Sequence, residues 1–67
     1  MSKTLDLHGV KHMDVERLVE NFVLLNEPPL TIITGNSQRM KEIVVNCLIN
    51  NDIEFENWGY SQFKILM

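Results

Sequence analysis

The sequence has a single cysteine, Cys47, so no disulfide can close within the chain. No cysteine and histidine cluster has zinc-finger spacing either, and we expect a reducing, cytoplasmic setting. Long hydrophobic runs are also missing: nothing approaches the roughly 18 apolar residues of a membrane span. The opening Met1-Ser2-Lys3-Thr4 lacks the apolar core of a signal peptide, so no membrane partner is expected. Basic residues are scarce, with 6 Lys and Arg against 9 Asp and Glu and a net charge of −3. That balance argues against a strong, sequence-independent grip on nucleic acid. No repeat, linker or low-complexity stretch interrupts the chain.

What is present suffices for one small core. Hydrophobic residues make up 45% of the 67 positions, which is ordinary for a globular protein and excludes disorder by composition. We read residues 1–67 as one domain, near the lower size limit for folding without staples.

The stretch Thr4-Leu5-Asp6-Leu7-His8-Gly9 organises the rest. Strand alternation puts Leu5 and Leu7 on one face and Thr4, Asp6 and His8 on the other. Asp6 and His8 then stand side by side, roughly 6–7 Å apart at their Cβ atoms. A carboxylate beside an imidazole sets its tautomer and raises its basicity. Gly9 lets the backbone turn where a Cβ would be costly.

After Gly9 the period becomes helical. Val15, Leu18, Val19 and Phe22 form one stripe, opposed by Glu16, Arg17, Glu20 and Asn21, which predicts a helix over 12–25. Its N-cap is ambiguous between Lys11 and a later start at Asp14. Glu27-Pro28-Pro29 stops it. Leu30–Thr34 reads as a second strand ending at Gly35. A strand, a helix and a strand with short joints predict parallel pairing and a right-handed crossover. Both strands then end at one edge, where ligands of open α/β sheets gather, and His8-Gly9 meets Thr34-Gly35-Asn36-Ser37 there.

Met40, Ile43, Val44, Cys47 and Leu48 predict a second helix over 38–50, with Asn36 and Ser37 as capping residues. Strands over 53–58 and 62–66, joined by Gly59-Tyr60-Ser61, complete a βαββ-type continuation. The expected fold class is α/β, an α+β two-layer sandwich of order βαβαββ with a mixed four-stranded sheet and both helices on one face.

With both strand ends read, the chain resembles the small MutS-related (Smr) domain. The residues that carry the resemblance are Leu5-Asp6-Leu7-His8-Gly9 and the later Ile32-Ile33-Thr34-Gly35. The family fold is similar to the C-terminal domain of translation initiation factor 3, which implies sheet order 1-2-4-3 with the last strand antiparallel to the others. The resemblance implies binding of DNA or RNA and, in some members, DNA nicking or RNA cleavage. It carries over residue by residue to Asp6, His8, Gly9, Thr34 and Gly35. Two departures stand out. Asn36-Ser37 occupy the place of the family's usual second glycine, and the longer basic loop is absent.

From these readings Asp6 and His8 are the candidate catalytic pair of an endonuclease. Gly9, Lys11, Thr34, Gly35, Asn36, Ser37, Arg39 and Lys41 are the candidate nucleic-acid contacts. Lys11, Arg39 and Lys41 bring three of the six basic residues to the strand-end edge, near two helix N-termini. No metal ligand set is read: Asp6 alone is a poor metal site, and no cofactor is expected, a divalent metal being open for a DNA substrate but not indicated by the sequence. His12 and the solvated parts of the helices are read as surface, and Cys47 as a buried small hydrophobe. Trp58, Tyr60 and Phe63 flank the hairpin turn and are read as cover for the core, with base stacking as the other use. The edge strands leave a monomer or weak homodimer open. The competing class is a non-catalytic interaction protein of the same fold that binds a protein.

Overall fold

The computed structural model describes residues 3–66. Met1 and Ser2, within the stretch read as lacking a leader, and Met67 lie outside the described residues. The elements are β1 (Lys3–Asp6), α1 (His12–Leu25), β2 (Leu30–Ile33), α2 (Gln38–Asn50), β3 (Glu56–Trp58) and β4 (Gln62–Ile65). The sheet order is β1-β2-β4-β3. β1 and β2 are parallel, while β4 is antiparallel to both β2 and β3. This is the expected two-layer α+β arrangement, with the order that the resemblance implied. No helix among the described residues is long and apolar enough to cross a membrane.

Strand alternation divides the sheet into two unlike faces. Leu5, Ile32 and Phe63 align across three strands, and Leu30 aligns with Ile65. With Leu7, and with the half-buried Leu5 packed against them, these residues form a buried cluster with Val15 and Val19 of α1 and Met40, Val44, Cys47 and Leu48 of α2. Both helices therefore cover one face. Full burial of a Leu, Ile or Val side chain stabilises by about 1.5–3 kcal/mol, so this small cluster dominates folding. The stripes read from the sequence are the sides that pack inward, with Leu18, Phe22 and Ile43 at the margin.

The helix ends follow their capping chemistry. Ser37 Oγ accepts from the Met40 amide at 3.2 Å and caps α2. Lys11 is the N-cap of α1 and contributes no side-chain cap, which settles the start at His12 rather than at Asp14. At the far end of α2, Ile53 N–H donates to Leu48 O and Asp52 N–H to Ile49 O. These are the two bonds of a Schellman closure, with Asp52 rather than glycine in the left-handed position at φ 56°.

That closure shortens a strand. Ile53 is committed to the end of α2, and Phe55 turns its ring edge-on to Phe63 at 5.7 Å. β3 consequently begins at Glu56 and not at Ile53. β1 is trimmed for a different reason. Leu7 still donates to Ile33 O, but its carbonyl accepts from Val10 N–H in a turn, and the His8 amide bonds to the Asp6 side chain. His8 thus sits in the turn after β1, not on the strand as expected.

Candidate functional site

The Asp6 carboxylate makes two bonds to one residue. Its Oδ1 accepts from the His8 amide at 2.9 Å and lies 2.6 Å from His8 Nδ1. A short polar side chain closing onto the backbone two residues later is a known turn device. Here it draws the imidazole against its partner far more closely than strand spacing alone would. The His8 amide and then its ring hold the Asp6 carboxyl below its ordinary pKa. An ionised carboxylate can only accept, so the proton between them belongs to Nδ1. In the neutral ring, Nε2 is then left as the acceptor.

Nε2 points to the end of β2. A Cβ built on Gly35 would lie 2.9 Å from it, and Gly35 has φ +68°, a conformation that side chains resist. The glycine therefore serves twice: it makes the turn after Thr34 and gives the imidazole its resting place. Gly9 also has a positive φ, +77°, but a Cβ there would meet open space. The parallel strands thus bring Asp6, His8 and Gly35 into direct proximity.

The other candidates have distinct placements. Thr34 is buried, and its hydroxyl is directed to the carbonyls of Gly35 and Ser61. Its amide donates to Ser61 O at 2.7 Å, so Thr34 ties the end of β2 to the β3–β4 turn. Ser37 is occupied as the α2 cap, and Asn36 is exposed beside it. Arg39 Nη1 lies 3.8 Å from Glu42 Oε1 on the exposed side of α2. Lys41 Nζ stands 5.9 Å from the Tyr60 ring centre and lines a cleft with Asn57 and Phe63. Lys11 is exposed at the start of α1. The three cations read as one cluster thus carry different local engagements.

Both members of the pair are well exposed, with side chains 58% (Asp6) and 65% (His8) accessible. The cleft of about 630 Å³ beside α2 and the one of about 540 Å³ beside β3 are lined by neither residue. An open edge of this kind can meet an extended polymer but does not enclose a small ligand. Among the described residues no group of three or more His, Cys, Asp or Glu gathers to hold a metal ion. Cys47 is buried between the helices, and burial, followed by Glu16 and Glu20, pushes its thiol pKa up. It is a poor nucleophile there.

Two features escaped sequence reading. Trp58 and Tyr60 are not core cover: they are 53% and 84% exposed, whereas Phe63 is buried. Lys64 lies across the uncovered face, with Nζ 3.0 Å from Thr31 Oγ1 and 5.5 Å from the Trp58 ring centre. The signal was the alternation Gln62-Phe63-Lys64-Ile65, which puts Lys64 opposite Thr31. Comparison of the chain with protein-family models, with curated proteins and with solved structures finds no match.

Proposed function

We propose that this edge binds nucleic acid and that Asp6 and His8 cleave RNA there, as in the small MutS-related domains that the sequence resembles. The observation that carries the reading is the 2.6 Å Asp6–His8 bond, which leaves Nε2 as the free acceptor beside Gly35. Nε2 removes the proton of a 2′-hydroxyl, and O2′ attacks the adjacent phosphorus. The bond from phosphorus to O5′ breaks, and O5′ takes a proton from water. The products are a 2′,3′-cyclic phosphate and a 5′-hydroxyl. Asp6 orients the ring and offsets the imidazolium charge that develops. DNA lacks the internal nucleophile, so nicking would require an activated water.

The second reading is a non-catalytic interaction protein of the same fold that binds a protein. The net charge of −3 and the pairing of Arg39 with Glu42 favour it. Cleavage of end-labelled single-stranded RNA at low salt tests the first reading, with a matched strand carrying a 2′-deoxy residue as control. His8→Ala should lower the rate about 10²–10⁴-fold, and the deoxy strand should resist. If the wild type cuts neither RNA nor DNA, with and without divalent metal, the nuclease reading fails. If it also binds neither, the protein-partner reading replaces it.

A further inference from the structure

We propose that the uncovered face of the sheet is a stacking platform for single-stranded nucleic acid, with Trp58 as the stacking ring and Lys64 as its phosphate-facing cation. The proposal rests on the reading of the Asp6–His8 edge as a nucleic-acid site and specifies the form of polymer that it takes. The helices cover only the face that bears Ile32 and Phe63. On the opposite face, register places Asp6, Ile33, Gln62 and Trp58 in one row across all four strands. Trp58 is not a member of the buried cluster, and the residue is 53% exposed on this row.

The ring is equipped for a charged, flat ligand. Lys64 Nζ stands 5.5 Å from the Trp58 ring centre and is held there by Thr31 Oγ1. Tyr60, in the hairpin turn, pairs with Lys41 of α2 and so belongs to the helix side of the sheet and not to this row. An aromatic face with an adjacent cation suits a base and its phosphate, and stacking tolerates any base. Glu56 lies opposite Lys64 in the register, so the patch is mixed in charge and its affinity modest.

The row also sets the length of the ligand. Three strand-to-strand steps of about 4.8 Å separate Asp6 from Trp58, or about 14 Å. A base cannot reach that far from its own phosphate, so the stacked base and the phosphate at His8 belong to different nucleotides. A duplex has no free base face to offer along this row.

Trp58 is the sole tryptophan, so its fluorescence reports on this site alone. The test titrates a single-stranded RNA hexamer, a dinucleotide and a duplex of hexamer length at low salt. Anisotropy of end-labelled strands measures binding independently of the tryptophan. We expect the hexamer to quench Trp58 and to bind more tightly than the dinucleotide or the duplex. Trp58→Ala should weaken hexamer binding about tenfold or more, and Trp58→Phe should retain most of it. Circular dichroism checks the fold of both variants; were Trp58→Ala unfolded, quenching and Trp58→Phe would still decide. Hexamer binding by anisotropy without quenching, and unchanged in Trp58→Ala, overturns the platform but leaves the edge reading standing. Duplex binding as tight as single-strand binding overturns it too. No binding of any strand overturns both.

Discussion

On the covered face of the sheet Leu30, Ile32, Phe63 and Ile65 are buried under two helices, while the other face of the same sheet carries Asp6, Gln62, Lys64 and Trp58. Strand alternation alone makes this division, since neighbouring residues point opposite ways. The contrast assigns different work to adjacent positions. Substitutions beneath the helices should act on stability, and those on the uncovered face on binding and chemistry. Asp6, on that face, is bonded to His8 and not to the core.

The largest expected effect sets neighbouring strands against each other. Ile32→Ala should cost about 2–5 kcal/mol, because it removes a fully buried side chain and leaves a cavity. Gln62→Ala, on the uncovered face, should stay within about 0.5 kcal/mol. Urea denaturation measures both, and equal losses would break the comparison.

A smaller effect separates two glycines with the same backbone sign. Gly35→Ala and Gly9→Ala should each cost about 1–2 kcal/mol of left-handed strain. Only Gly35→Ala places a methyl 2.9 Å from His8 Nε2, so only it should move the imidazole. Ring chemical shifts of His8 in the two variants check this. An undisturbed His8 in Gly35→Ala would contradict the close approach.

The smallest effect concerns pH. Folding lowers the Asp6 pKa, so its contribution to stability is present above the ordinary carboxylate range and is lost as pH falls through the lower folded value. Because the pair is exposed, the contribution is slight. Asp6→Asn should flatten that acid limb of the stability curve while leaving stability at neutral pH nearly unchanged. An acid limb of unaltered steepness in Asp6→Asn would show that other carboxylates carry it.

Much of this was legible because periodicity and breakers agree. The bounds of α1 and α2 follow from their apolar stripes, from Pro28-Pro29 and from the Ser37 cap. The strand ends were not legible, since local competition for single amides decided them. The Leu7 carbonyl took the Val10 amide into a turn after β1, and Leu48 O took the Ile53 amide from β3. Asp52 hides that closure, because a left-handed helix stop is usually announced by glycine. The pairing of Asp6 with His8 was readable from the first strand. The exposure of Trp58 was not, because residue type does not say which face of a short edge strand is covered.

The nucleic-acid surface proposed above joins the uncovered face of the sheet to the Asp6–His8 edge. Amide and side-chain NMR shifts during titration with a single-stranded RNA hexamer at low salt test it most directly. We expect saturable shifts at Asp6, His8, Gly35, Gln62, Lys64 and Trp58, with the outward sides of α1 and α2 unmoved. Shifts confined to the helices, or none at any residue, would contradict it.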